Sequence, residues 1–72
     1  MPHWWVPVRG SKPEDRKDEV KRELGSQGKL HSFWEGSDGN LYAVVNDCDE
    51  IDEDLKRRMK VVGDPIRLER EV

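Results

Sequence analysis

One cysteine, Cys48, is all the chain has for thiol chemistry. No internal disulfide can form, and no repeated Cys/His spacing suggests a structural zinc site. No stretch approaches the roughly 18 apolar residues of a membrane span. The opening Met1-Pro2-His3-Trp4-Trp5 lacks the basic region and apolar run of a signal peptide, so the expectation is a cytoplasmic protein with no membrane partner. The excess of charge of one sign is also small: the net charge is −3. That argues against a general nucleic-acid binder, whose phosphate contacts normally show as a basic stripe. With 72 residues there is room for one domain, residues 1–72, and no second core. Domains this small bury only about 60% of their unfolded surface, so added stability is expected from oligomerisation. No cofactor is implied.

Charged residues make up 40% of the chain and apolar ones 33%, a balance that permits disorder if the apolar residues are scattered. They are instead periodic. In His3–Arg9, Trp4, Val6 and Val8 alternate with His3, Trp5, Pro7 and Arg9, the period of a strand. Pro7 removes a ladder donor and favours an edge or a non-bonded position. Ser11-Lys12-Pro13-Glu14 reads as a capping box before a helix whose thin stripe is Val20 and Leu24, extended by the stems of Arg16 and Lys17. Gly25 or Gly28 ends it.

Lys29–Glu35 alternates again, Leu30, Ser32 and Trp34 against His31 and Phe33. Gly36-Ser37-Asp38-Gly39 then supplies turn chemistry before Asn40–Asn46, which makes a hairpin. Ile51, Leu55, Met59 and Val62 fall at helical spacing, with acid at the start, Asp47 or Asp49 as cap, and Gly63 and Pro65 as the stop. Ile66–Val72 alternates as a last strand.

The order β-α-β-β-α-β predicts an α+β, ferredoxin-like fold. Right-handed crossovers give a four-stranded antiparallel sheet of order 4-1-3-2 with two helices on one face. The alternation assigns Trp4, Val6, Val8, Leu30, Trp34, Leu41, Ala43, Val45, Ile66 and Leu68 to the face under the helices. His3, Trp5, Arg9, His31, Phe33, Tyr42, Val44, Arg67 and Glu69 fall on the other face, which is too aromatic for plain solvent surface.

From Gly28 onward the chain resembles the GYD domain family, small ferredoxin-like proteins related to the dimeric α/β-barrel group. The resemblance lies in Gly28-Lys29-Leu30-His31-Ser32-Phe33-Trp34, the Gly39 turn into Leu41-Tyr42-Ala43-Val44-Val45, Asp49-Glu50, and Gly63-Asp64-Pro65-Ile66-Arg67-Leu68. The Gly-Tyr-Asp signature itself is replaced by Gly39-Asn40-Leu41-Tyr42. The resemblance implies a fold and sheet-to-sheet dimerisation rather than a reaction.

Among candidate sites, the acidic run Asp47–Asp54 suggests calcium, but an EF-hand loop counted from Asp47 would need Gly where Asp52 stands and Glu where Arg58 stands. His3, His31 and Cys48 come from three separate elements and read as packing residues rather than a metal site. Helix-start position would lower the Cys48 thiol pKa while the surrounding carboxylates would raise it. The binding surface is therefore assigned to Trp5, His31, Phe33, Tyr42 and Val44, with Arg9 and Arg67 at its margins. Three readings of it stand. The first is a non-enzymatic interaction module that forms a homodimer, or meets a protein or small-ligand partner, through this face. The second is single-stranded RNA binding, in which Trp5 and Tyr42 on the central strands stack bases while Arg9 and Arg67 reach phosphates. The third is an enzyme of the dimeric α/β-barrel kind with His31 or His3 as base, although nothing places a nucleophile beside either histidine.

Overall fold

A computed structural model describes residues 2–10 and 12–68. Strand β1 (His3–Val8) leads to helix α1 (Pro13–Leu24), strands β2 (Lys29–Glu35) and β3 (Leu41–Asn46), helix α2 (Glu53–Met59) and strand β4 (Ile66–Leu68). The four strands form one antiparallel sheet of order β2-β3-β1-β4. This is the ferredoxin-like βαββαβ arrangement expected from the sequence.

Both helices lie on the same face. Val20 and Leu24 of α1 and Leu55 and Met59 of α2 join Val6, Val8, Leu41, Ala43 and Val45 of the sheet in one buried cluster, closed by Cys48 and Ile51. The α1 stripe begins with Arg16, only 6% exposed, so that Arg16, Val20 and Leu24 follow one another at i, i+4 and i+8. Arg16 is held by its ends: Nη2 donates to the carbonyl of Met59 at 2.6 Å and Nη1 meets Glu19 at 2.5 Å. The guanidinium thus caps the C-terminal end of α2, where carbonyls lack helical partners. Lys17 is exposed instead.

The helix ends differ from the sequence reading. At α1, Lys12 occupies the cap position with no side-chain cap, and Ser11 lies outside the described residues. At α2, Asp52 rather than Asp47 or Asp49 is the cap, its carboxylate accepting the Leu55 N–H at 2.8 Å. Ile51 therefore precedes the helix but is still buried against it. Lys60, in the left-handed conformation, ends α2 before Gly63 is reached.

Pro7 is tolerated on a central strand for a geometric reason. Its carbonyl accepts from Val62 N at 2.9 Å, so its backbone polar atoms point away from β3, and the pair Pro7–Tyr42 is a non-hydrogen-bonded one. On that side β4 reaches only as far as Ile66 opposite Trp5. The missing proline donor falls beyond the end of β4, where no ladder bond is lost.

Candidate interaction face

Strand pairing decides which side chains share the face that no helix covers. Residues directly opposite each other project to the same side. In the β1–β3 ladder Trp5 opposes Val44 and Pro7 opposes Tyr42, so Trp5, Tyr42 and Val44 lie together on the open face as expected.

Strand β2 departs from its apparent alternation. Leu30 opposes Val45 and Ser32 opposes Val44, leaving His31 as the extra residue of a β-bulge. One inserted residue reverses the facing of everything after it. Phe33 consequently opposes Ala43 and packs on the core beneath the helices, and Trp34 opposes Tyr42 on the open face. The assignment of Phe33 to the open face and of Trp34 to the covered one is corrected by this bulge. His31 itself is exposed; its Nδ1 lies 2.9 Å from the Ser32 hydroxyl, and it lines a crevice with Lys17 and Lys21 of α1.

Strand β4 also reverses. Ile66 opposes Trp5 and Leu68 opposes His3, which puts both on the open face, and Arg67 opposes Trp4 on the helix side. Trp4 is fixed there by its indole N–H, which donates to the Cys48 carbonyl at 2.8 Å. Arg67 is thereby removed from the surface assigned to it, because the phase of β4 follows β1 rather than its own pattern. Arg9 is removed as well. Its N–H donates to the Lys60 carbonyl at 2.9 Å, and it lies with Lys56, Arg57 and Lys60 at the C-terminal end of α2. Glu69 lies outside the described residues.

The face that results is built around Val44, which is fully buried although no helix covers it. Trp5 on β1 and Trp34 on β2 are diagonal across β3, and their rings meet with centroids 4.7 Å apart at 56°. The separation lies within the usual range of aromatic pairs, and Trp5 is the cross-strand neighbour of Val44. Trp34 remains 44% exposed and Ile66 48% exposed. The Trp5 indole nitrogen is buried without a hydrogen-bond partner among the described residues.

At the hairpin end the turn folds onto Tyr42. Its hydroxyl donates to Asp38 Oδ2 at 2.7 Å, and the Asn40 N–H donates to Asp38 Oδ1 at 3.0 Å. These donors hold the Asp38 carboxyl below the usual carboxylate range, the tyrosine hydroxyl most strongly, and Asp38 in turn pushes the Tyr42 hydroxyl above the ordinary tyrosine value. Gly36 is required under this ring, since a Cβ there would stand 2.5 Å from Tyr42 Cε1. Trp5, Trp34, Tyr42, Ile66 and the turn Glu35–Asp38 enclose a groove of about 230 Å³.

Three contributors, Trp34, Ile66 and Asp38, were not legible as members of this surface. The adjacency of Phe33 and Trp34 does imply that one of the two aromatics faces away from the helices, but not which. Elsewhere, Cys48 is buried, and burial pushes its thiol pKa up. Among the described residues no three His, Cys, Asp or Glu side chains come together as a metal site, and no helix is long and apolar enough to cross a membrane. Comparison with models of protein families, with curated proteins and with solved structures finds no match in any of the three.

Proposed function

We propose that the protein is a small interaction module that self-associates by pairing the open faces of two sheets. The observation that carries this reading is the half-exposed pair Trp34 and Ile66 flanking Trp5 on a sheet face without a helix. Large apolar side chains gathered on one uncovered surface mark an interaction site. A second copy of the same face suits them, because two sheets pack about 10 Å apart by interleaving apolar side chains.

The size of the face sets the strength. Four strands about 4.8 Å apart and about five residues long at about 3.4 Å each span roughly 19 by 17 Å, or about 320 Å² as a flat area. Two such faces come to about 650 Å² in total, below the roughly 1,000 Å² of a stable specific interface and in the range of transient ones. The dimer is accordingly weak, and a Kd of about micromolar order or weaker is expected. The resemblance to GYD domains agrees with pairing of this kind. For RNA no observation speaks: Arg9 and Arg67 lie off the face, and its rim carries Asp38.

Sedimentation velocity between about 1 and 200 μM, a span bracketing a micromolar Kd, tests the proposal. The wild type is expected to move from the 8.4 kDa monomer toward twice that mass, and Trp34→Glu to stay monomeric with an unchanged circular dichroism spectrum. A wild type that remains monomeric throughout overturns it.

A further inference from the structure

The groove at the hairpin end has features that the pairing of two sheets does not require. Its walls carry three aromatic side chains, Trp5, Trp34 and Tyr42, with Ile66 beside them. The indoles of Trp5 and Trp34 leave no space between them at 4.7 Å, but at a 56° tilt they are not stacked face to face. At the rim stands Asp38. Its oxygens take the Tyr42 hydroxyl and the two Asn40 donors, and among the described residues no lysine or arginine forms an ion pair with it. An uncompensated carboxylate beside two indole faces is a local negative potential, since the ring faces carry the negative part of the aromatic quadrupole.

We propose that this groove binds a methylated ammonium group, seated against the indoles of Trp5 and Trp34 with the Asp38 carboxylate as its counter-charge. Methylation is favoured by the walls. A bare ammonium or guanidinium brings several N–H groups that need acceptors. The indoles offer only donors, Ile66 offers neither donor nor acceptor, and both oxygens of Asp38 already accept from Tyr42 and Asn40, so few acceptors stand free on the apolar side of the groove. A quaternary group has no N–H to satisfy, and its methyls meet Ile66 and the rings. The volume, about 230 Å³, is below the roughly 300–1,000 Å³ of pockets for drug-sized ligands, so it admits a head group whose remainder trails into solvent. The same head group occurs in free choline-type molecules and in trimethylated lysine side chains.

The inference goes beyond self-association and needs only an uncovered face. Both use Trp34, so ligand and second copy exclude one another, and the site is tested at about 0.5 μM protein, below a micromolar dimer constant. Choline chloride, a trimethyl-lysine peptide and 3,3-dimethylbutan-1-ol, the uncharged isostere of choline, are titrated separately at constant ionic strength while tryptophan emission is followed. Saturable binding of choline or the peptide is expected at about millimolar concentration, with the isostere about tenfold weaker, the order of one cation–π contact of about 1–2 kcal/mol. Trp34→Leu should abolish the response. Asp38→Asn, which keeps an oxygen acceptor for the Tyr42 hydroxyl, should weaken binding several-fold and serves if Trp34→Leu does not fold. Tighter binding of the peptide assigns a protein tail as the source, and tighter binding of choline a small molecule. Equal affinity for choline and the isostere, or no saturation by either cation up to about 100 mM, a hundred times the expected constant, overturns the site. Neither result decides whether the faces pair.

Discussion

Replacing Phe33 and Trp34 by alanine, one at a time, separates the bulged strand from an unbroken one. With the bulge at His31, Phe33 opposes Ala43 and packs against the buried core cluster, and Trp34 is 44% exposed on the other face. Complete loss of a buried phenylalanine costs about 3–5 kcal/mol; Phe33 is only partly buried, so about 2–3 kcal/mol is expected. Trp34 contributes the part of its ring that meets Trp5, worth about 1–2 kcal/mol from area removed from water and aromatic contact. A chain of 72 residues has a total stability of about 4–11 kcal/mol at 0.05–0.15 kcal/mol per residue. Phe33→Ala therefore removes a large fraction of it. In urea, with a slope of about 1 kcal/mol/M for so small a domain, the midpoint should fall by about 2–3 M for Phe33→Ala and about 1–2 M for Trp34→Ala. The melts are followed by circular dichroism at submicromolar protein, so that association does not add to stability. If Trp34→Ala proves the more destabilising, the strand has no bulge and the two aromatics have exchanged places.

Three further outcomes follow from the packing. Arg16→Met should lower stability by about 2–3 kcal/mol in the same urea assay, because it orphans the buried Met59 carbonyl and leaves Glu19 with only Lys60 as a partner, and Arg16→Lys should restore only part, having no fork to reach both Met59 and Glu19. Gly36→Ala should cost about 1–3 kcal/mol, because its Cβ would stand 2.5 Å from Tyr42 Cε1, and the displaced ring should change tyrosine absorbance. Acid should destabilise the protein through Glu19 and Asp38. Hydrogen bonding from Arg16, and from Tyr42, holds their folded pKa values below the unfolded ones, so their contribution is present above the unfolded carboxylate pKa and lost as pH falls through the folded values. Urea midpoints measured between about pH 6 and pH 2 should therefore decline, and less steeply in Glu19→Gln. Identical slopes would show that Glu19 does not take part.

The element order, the strand order and the faces of β1 and β3 were all legible, because these two central strands carry clean alternation and neighbours on both sides enforce it. What stayed hidden lies at the edges. In β2 the bulge at His31 has no glycine or proline to announce it, and Lys29–Glu35 reads as an unbroken alternation. In β4 the phase of the described residues comes from the pairing with β1, with Trp5 and Trp4 opposite Ile66 and Arg67, and not from the strand's own alternation. Arg16 was legible as a stem extending the α1 stripe, but its burial depends on the Met59 carbonyl at the end of another helix, which no local pattern reveals. The candidate face changed most for the same reason. Trp5, Tyr42 and Val44 came from the central strands and stayed, whereas Phe33 and Arg67 came from the edges and gave way to Trp34 and Ile66.

The three indole N–H groups test the open face most directly, because they report on it separately. Trp4 lies on the helix side with its N–H bonded to Cys48, and Trp5 and Trp34 meet on the open face. Proton–nitrogen correlation spectra recorded from about 10 μM to 1 mM, a range spanning a micromolar dissociation constant, should show the Trp5 and Trp34 signals shifting with concentration and the Trp4 signal fixed. A Trp34 signal that does not move over that range, or a Trp4 signal that moves in its place, would contradict the assignment of this face as the surface through which the protein acts.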